Sequence, residues 1–257
     1  MKHVTEKEAK EMLERMNKDE LINCMAFHMM EDGSELHRKL KNCPQISIGN
    51  MAAVPMIQFD VIDKEEIREI AVTKEMCGVM GIAHERLIRQ VQDNTAKQSI
   101  AIVKVTDVMQ EKFKEKPVKD VPLYLATRYD IYNGASVLCA SDFFEKAEKA
   151  MKGSFYLLPS SRHELILLPE TKASNYIEPS EFTKLVKEVN ASKFVGEDRL
   201  TDQAYHFDAE QCKFEKVEDY QIRKDYEAKR MMEESNESEK HSRKPERNKK
   251  RENGLER

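Results

Sequence analysis

Apolar residues recur at helical spacing from the start of the chain: Ala9, Met12, Leu13 and Met16, then Leu21, Ile22, Met25, Ala26 and Met29. Thr5 and Glu8 precede them in the S/T-x-x-E pattern, where each side chain satisfies the other's backbone N–H. The spacing predicts one or two amphipathic helices across residues 5–31, stopped by Asp32-Gly33. Residues 41–50, KNCPQISIGN, read as a loop. Pro55 to Ile62 is rich in β-formers and predicts a strand, and Asp63 is placed to cap a short helix over 64–71. Thr73 is a helix N-cap and Gly81 its stop, followed by a second helix from Ala83 to Gln92 with Leu87, Ile88 and Val91 on one face. A strand over 99–105 and a helix over 106–116, ended by Pro117, complete the first half.

The second half reads mostly as short strands. Leu123–Thr127 and Ala135–Ala140 are predicted strands around the Asn133-Gly134 turn signal. Ser141 caps a helix through Met151, broken by Gly153. Phe155–Leu158 and Glu164–Leu168 form a hairpin about Pro159-Ser160-Ser161-Arg162. Pro179 and Ser180 open a helix carrying Phe182, Leu185, Val186 and Val189. Ala204–Phe207 and Cys212–Val217 form a last hairpin about Asp208. From Glu218 a polar helix is expected to about Met232, with disorder beyond Glu233, where too little apolar area remains to offset chain entropy. The pattern predicts an α+β fold, with helices packed on a mainly antiparallel sheet. It divides into a helical segment (1–50), an α+β domain (52–217) and a charged tail (218–257).

Composition narrows the classes. The 257 residues carry a formal charge of -4 with 35% charged residues, but the charge is segregated. Residues 240–257 hold eight Lys/Arg against three Asp/Glu, leaving the remainder at -9. No run of eighteen apolar residues is present, so no membrane-spanning helix is expected. The charged start lacks the apolar segment of a secretory signal. The five cysteines (Cys24, Cys43, Cys77, Cys139 and Cys212) are scattered without a CxxC pair and read as free thiols in a reducing cytoplasm. The fourteen methionines read as core filler.

Four stretches carry a resemblance. They are VTKEMCGVMGIAHERLIRQVQDNT (Val72–Thr95), YLATRYDIYNGASVL (Tyr124–Leu138), FYLLPSSRHELILLP (Phe155–Pro169) and Glu188–Phe207, which opens EVN and closes AYHF. In this order they resemble the domain-of-unknown-function family 5688 over roughly residues 52–217, with Pro159–Glu164 the most specific block. The chain departs from the family pattern in a shorter N-terminal region, in Met80 where Trp is usual, and in its charged tail. These departures imply a truncated or diverged member. The resemblance implies a bacterial protein, found mostly in gut Firmicutes and often on mobile elements. It implies no activity, cofactor or catalytic residue.

The best candidate for chemistry is Ser160-Ser161-Arg162-His163-Glu164, which offers a nucleophile, a base and a carboxylate in one loop, with Asp202 a further carboxylate. A triad needs convergent geometry that sequence neighbours on a hairpin rarely achieve. The preferred reading is a turn whose Ser hydroxyls bond local backbone. Asp130, Asp142, Glu164, Asp202 and Asp208 lie near turns as potential Mg²⁺ ligands, but their spacing matches no known loop, so no metal is expected. HExxH, GxGxxG and GxxxxGK[ST] are absent, and no cofactor is expected. The sequence favours a non-enzymatic cytoplasmic interaction or regulatory module with a protein partner. A hydrolase or nuclease using His163 with nearby carboxylates is the alternative. A third reading has the basic tail bind nucleic acid, although it has no aromatic residue beyond Tyr226 for base stacking.

Overall fold

A computed structural model of the chain describes residues 2–61, 66–98, 100–113, 122–128, 132–171, 177–191 and 196–242. Asp130, Pro117 and the basic run 243–257 lie outside the described residues. The chain up to Val217 forms one compact unit, and Glu218 onward a second.

The first sheet is built on one long strand. Its elements are β1 (Lys2–Val4), α1 (Glu6–Arg15), α2 (Lys18–Asn23), β2 (Met25–Glu31), α3 (Glu35–Lys39), β3 (Ile46–Ile48), β4 (Met51–Val61) and β5 (Glu66–Ala71). β4 pairs antiparallel with β2, β3 and β5, and parallel with β1. Thr5 and Glu8 close the predicted capping box at the start of α1.

Three expectations change in this region. The stripe Met25, Ala26, Met29 belongs to β2 and not to a helix. MAFHMM is apolar almost throughout because β2 is buried on both faces, and such a run cannot be told from a buried helix by periodicity. Residues 46–48 form β3 within the predicted loop, because the Gly49-Asn50 turn folds them back onto β4. Residues 66–71, expected to be helical, form β5 and pair with Met56–Val61. Cross-strand partners there override a weak local helix signal.

The second sheet follows α4 (Lys74–Met80) and α5 (His84–Lys97), with Thr73 capping α4 and Gly81 ending it in the left-handed region, as predicted. The elements are β6 (Ile100–Lys104), α6 (Val105–Phe113), β7 (Tyr124–Arg128), α7 (Phe143–Met151), β8 (Phe155–Ser161), β9 (Glu164–Pro169), α8 (Pro179–Asn190), β10 (Tyr205–Asp208) and β11 (Lys213–Lys216). The strand order is β11-β10-β8-β9-β7-β6, with every pair antiparallel. The α+β class with antiparallel sheets therefore holds. The strand expected over Ala135–Ala140 does not form; Gly134–Cys139 is instead a fully buried 3-10 helix. Asn133 enters it in the left-handed region (φ 48°), which turns the chain out of the sheet.

One apolar core joins the two sheets. Met25, Phe27, Met29, Ala53, Ile57 and Phe59 meet Leu87 and Val91 of α5 and Phe155, Leu157, Leu165 and Leu167 of the second sheet. On the other face of the second sheet, Tyr156 stacks on Phe182 of α8 at 4.4 Å between ring centres. Met30, Cys43, Ala52, Val54 and Met56 form a smaller apolar layer on the opposite face of the first sheet. All five cysteines are free thiols, and four are buried.

The second unit holds α9 (Val217–Ser242) from Glu218 onward, and the helix continues past Met232 into the stretch expected to be disordered. Its residues are mostly strong helix formers. The pairs Arg223–Glu227 and Arg230–Glu234, each four residues apart, tie successive turns. Among the described residues no helix is long and apolar enough to cross a membrane.

The Gly49-Asn50 turn joins the sheets of the first unit. Gly49 has φ 59° and lies against the Tyr205 ring with no room for a Cβ, and the Asn50 N–H donates to Tyr205 Oη at 2.9 Å. Gly49→Ala combines left-handed strain with overpacking and is expected to cost about 2–4 kcal/mol. Urea unfolding of the variant measures this.

Candidate functional site

The Pro159–Glu164 block forms the tip of the β8–β9 hairpin, with a register shift between Pro159 and Ser161. Ser160 lies within β8. Ser161 Oγ accepts the His163 backbone N–H at 3.1 Å, the local bond expected of a Ser turn. Glu164 opens β9 opposite Ser161. Three further bonds hold the tip. The Thr127 hydroxyl donates to the His163 carbonyl at 2.8 Å, Ala135 N–H to the Arg162 carbonyl at 3.1 Å, and Arg162 N–H to the Asp198 carbonyl at 2.8 Å. Gly134 has no side chain because a Cβ there would overlap the His163 carbonyl and Thr127 Oγ1.

The His163 ring is engaged on both sides. Asn133 N–H donates to Nδ1 at 3.3 Å, which places the ring proton on Nε2, 3.3 Å from Asp198 Oδ2. Arg162 Nε pairs with the other Asp198 oxygen at 2.8 Å. The carboxylate facing His163 is thus Asp198. Asp202 instead accepts from Asn190 Nδ2 at 2.8 Å and Arg199 at 3.2 Å. The other acidic candidates are also dispersed: Asp142 pairs with Lys146, and Asp208 accepts the Glu210 and Gln211 N–H groups at its turn. Among the described residues no group of three or more His, Cys, Asp and Glu side chains is placed to hold a metal ion.

A denser polar constellation lies beside His163, on the face of the first sheet that carries the smaller apolar layer. Along β4 that face runs Ala52, Val54, Met56 and then Gln58, beside His28 of β2 and Glu69 of β5. Glu69 Oε2 accepts from His28 Nδ1 at 2.6 Å and Tyr132 Oη at 3.3 Å. Its Oε1 accepts from Gln58 Nε2 at 2.5 Å and Asn133 Nδ2 at 2.7 Å. Arg128, buried with 2% exposure, reaches Gln58 Oε1 at 3.4 Å. Tyr132 lies 5.9 Å from the His163 ring and equally far from the Arg162 guanidinium, so the two groups touch.

Electrostatics follow from this geometry. Burial opposes ionisation of Glu69, but the His28 hydrogen bond and charge, with the Gln58 and Tyr132 bonds, outweigh it and hold the carboxyl below the usual range. Tyr132 is pushed up to about 12, first by burial and then by the Glu69 charge. The arrangement keeps one carboxylate ionised and binds 132–133 to β2, β4 and β5.

Of the sequence candidates, Ser161 and His163 share the hairpin tip, whereas Asp202 is bonded to α8 and Arg199. Sequence reasoning missed His28, Gln58, Glu69, Arg128, Tyr132, Asn133 and Asp198. Two of them left a signal: His28 interrupts the apolar run MAFHMM, and Gln58 interrupts VPMIQFDVI. A polar residue in a doubly buried strand needs a partner.

A family model described as a family of unknown function, DUF5688, matches residues 3–209. The chain belongs to this family. The DUF5688 match starts well before residue 52, so the N-terminal elements that supply β2 and His28 are part of the family's domain. It also spans every residue of the Glu69 and His163 groups. No curated protein and no solved structure matches the chain.

The lowered Glu69 value has a defined sign. Its contribution to stability is full above the unfolded value near 4.5 and is lost as pH falls through the lower folded value. Glu69→Gln is expected to destabilise the protein by about 2–3 kcal/mol at pH 7. The gap from wild type should close as pH drops below 4.5 in denaturant titrations at stepped pH.

Proposed function

We propose that this DUF5688 protein is a non-enzymatic interaction or regulatory module of the bacterial cytoplasm, carried on mobile elements as its family resemblance suggests. One observation supports the reading above others: the polar groups that would perform chemistry are engaged with one another. His163 has Nδ1 bonded to backbone and Nε2 facing Asp198. Glu69 takes four donors from four side chains. A general base must reach the proton it abstracts, and here both ring nitrogens of His163 are already occupied.

The second reading, a hydrolase or nuclease, draws support from the His163–Asp198 pair with Arg162 alongside. It needs His163 to release the Asn133 N–H before it accepts a proton from a substrate. Nucleic-acid binding rests on residues 240–257 alone and predicts salt-sensitive binding that disappears with their deletion.

The module reading predicts that the full chain, captured from native lysate at several salt concentrations, brings down a specific protein. Recovery of the chain alone at every concentration would refute it. In ester, peptide, phosphodiester and nucleic-acid hydrolysis screens with Mg²⁺ and Mn²⁺, wild type and His163→Ala are expected to show the same background. Turnover lost in His163→Ala would transfer the assignment to the hydrolase reading.

A further inference from the structure

A cleft of about 600 Å³ lies between the segment leading into β3 and the first turns of α5. Ligand-binding clefts fall in the range of roughly 300–1,000 Å³. Pro44, Ile46 and Ile88 give it apolar walls. Its ionisable lining is one-sided: Lys41, Lys74, His84 and Arg89 against the single carboxylate Glu85. Lys41, Lys74 and Arg89 are solvent-exposed. α5 begins at this cleft behind Ala83, which supplies no side-chain cap, so the amide groups of its first turn add positive potential.

The cleft also contains a strand edge. Among the described residues β3 pairs with β4 alone. Ile48 faces Met51 across the two-residue turn, and Ile46 faces Ala53. In such a hairpin these are the bonded pairs, and the residue between them turns its own N–H and C=O away from the partner strand. That residue is Ser47, and it lines the cleft. An added strand would therefore find a backbone donor and acceptor, an apolar wall for alternate side chains, and cations for the side chains between.

We propose that this cleft binds an extended acidic peptide segment of a partner protein, which adds to the free edge of β3 with its carboxylates toward Lys41, Lys74 and Arg89. The charge pattern selects acidic over basic segments, and the open edge selects an extended backbone over a compact anion. The inference rests on the module reading and names the chemistry of the partner.

The test uses the full chain and a fluorescent octapeptide alternating Glu with Val or Thr, read by anisotropy. Two further probes carry backbone N-methyl groups on the odd or on the even residues, since only one set of amides can face β3. The acidic probe is expected to bind, its Lys-substituted counterpart to fail, and one methylated probe to lose at least tenfold in affinity while the other binds as the parent does. Lys74→Glu with Arg89→Glu, both surface changes, is expected to lower affinity at least tenfold with an unchanged circular dichroism spectrum. Lys41→Glu serves as a second variant if the double change perturbs folding.

Undiminished binding by these variants, equal binding of the two methylated probes, or displacement of the probe by equimolar inorganic phosphate would overturn the proposal. If a lysate partner is captured equally by wild type and the charge-reversed variant, the cleft assignment fails and the module reading stands. If the probe binds as expected but no lysate partner is recovered, the cleft stands and the module reading fails.

Discussion

An ionised carboxylate largely removed from water is costly unless it is fully paired, and Glu69 sets that requirement for its surroundings. His28, Gln58, Tyr132 and Asn133 come from two other strands and from the turn that follows the second sheet's β7 strand, and each donates to it. Two of those donors, Tyr132 and Asn133, sit where the chain leaves β7 and enters the 3-10 helix. The same Asn133 presents its backbone N–H to His163. The left-handed turn at Asn133, the missing side chain at Gly134 and the orientation of the β8–β9 tip are therefore linked. Changing one strains the others, because buried polar networks are costly when only partly satisfied.

Outside this network and the Asn50–Tyr205 hydrogen bond, the two sheets meet through apolar packing that makes few demands on direction. Met25, Phe27 and Met29 face the common core, and Met30 faces the smaller layer. Methionine's flexibility suits a strand filled on both sides by unlike surfaces. The polar network and the cleft at β3 then differ in kind. In the first, charge is consumed within the molecule. In the second, Lys41, Lys74 and Arg89 remain at the surface beside β3, which among the described residues pairs with β4 alone. Preorganised but unspent charge is what a recognition surface offers a partner.

The sequence was legible wherever local signals dominate. Thr73 and Gly81 bracket α4 as read, Pro179 opens α8, and the strand pair about Pro159–Arg162 folds as a hairpin. The Ser161 turn bond was legible too, because it reaches only two residues along the chain. Legibility failed where long-range partners decide. β5 is a strand because β4 is beside it, and 134–139 leaves the sheet because the space it fills is buried on every side. At the hairpin tip, His163 was legible as a candidate but its carboxylate was not: Asp198 lies thirty-five positions away, in a short 3-10 turn with no motif of its own.

By itself the sequence determined the α+β class, several helix starts, the β8–β9 and β10–β11 hairpins and the net positive charge of the last eighteen residues. Those depend on backbone propensity, capping and composition, which act over a few residues. Only the tertiary structure decided that MAFHMM is a strand, that Glu69 gathers four side-chain donors, and that cations from three separate segments line one cleft. The physical reason is common to all three. Burial on two faces, pairing of a buried charge and convergence of surface cations are properties of neighbours in space, and their sequence separations carry no period.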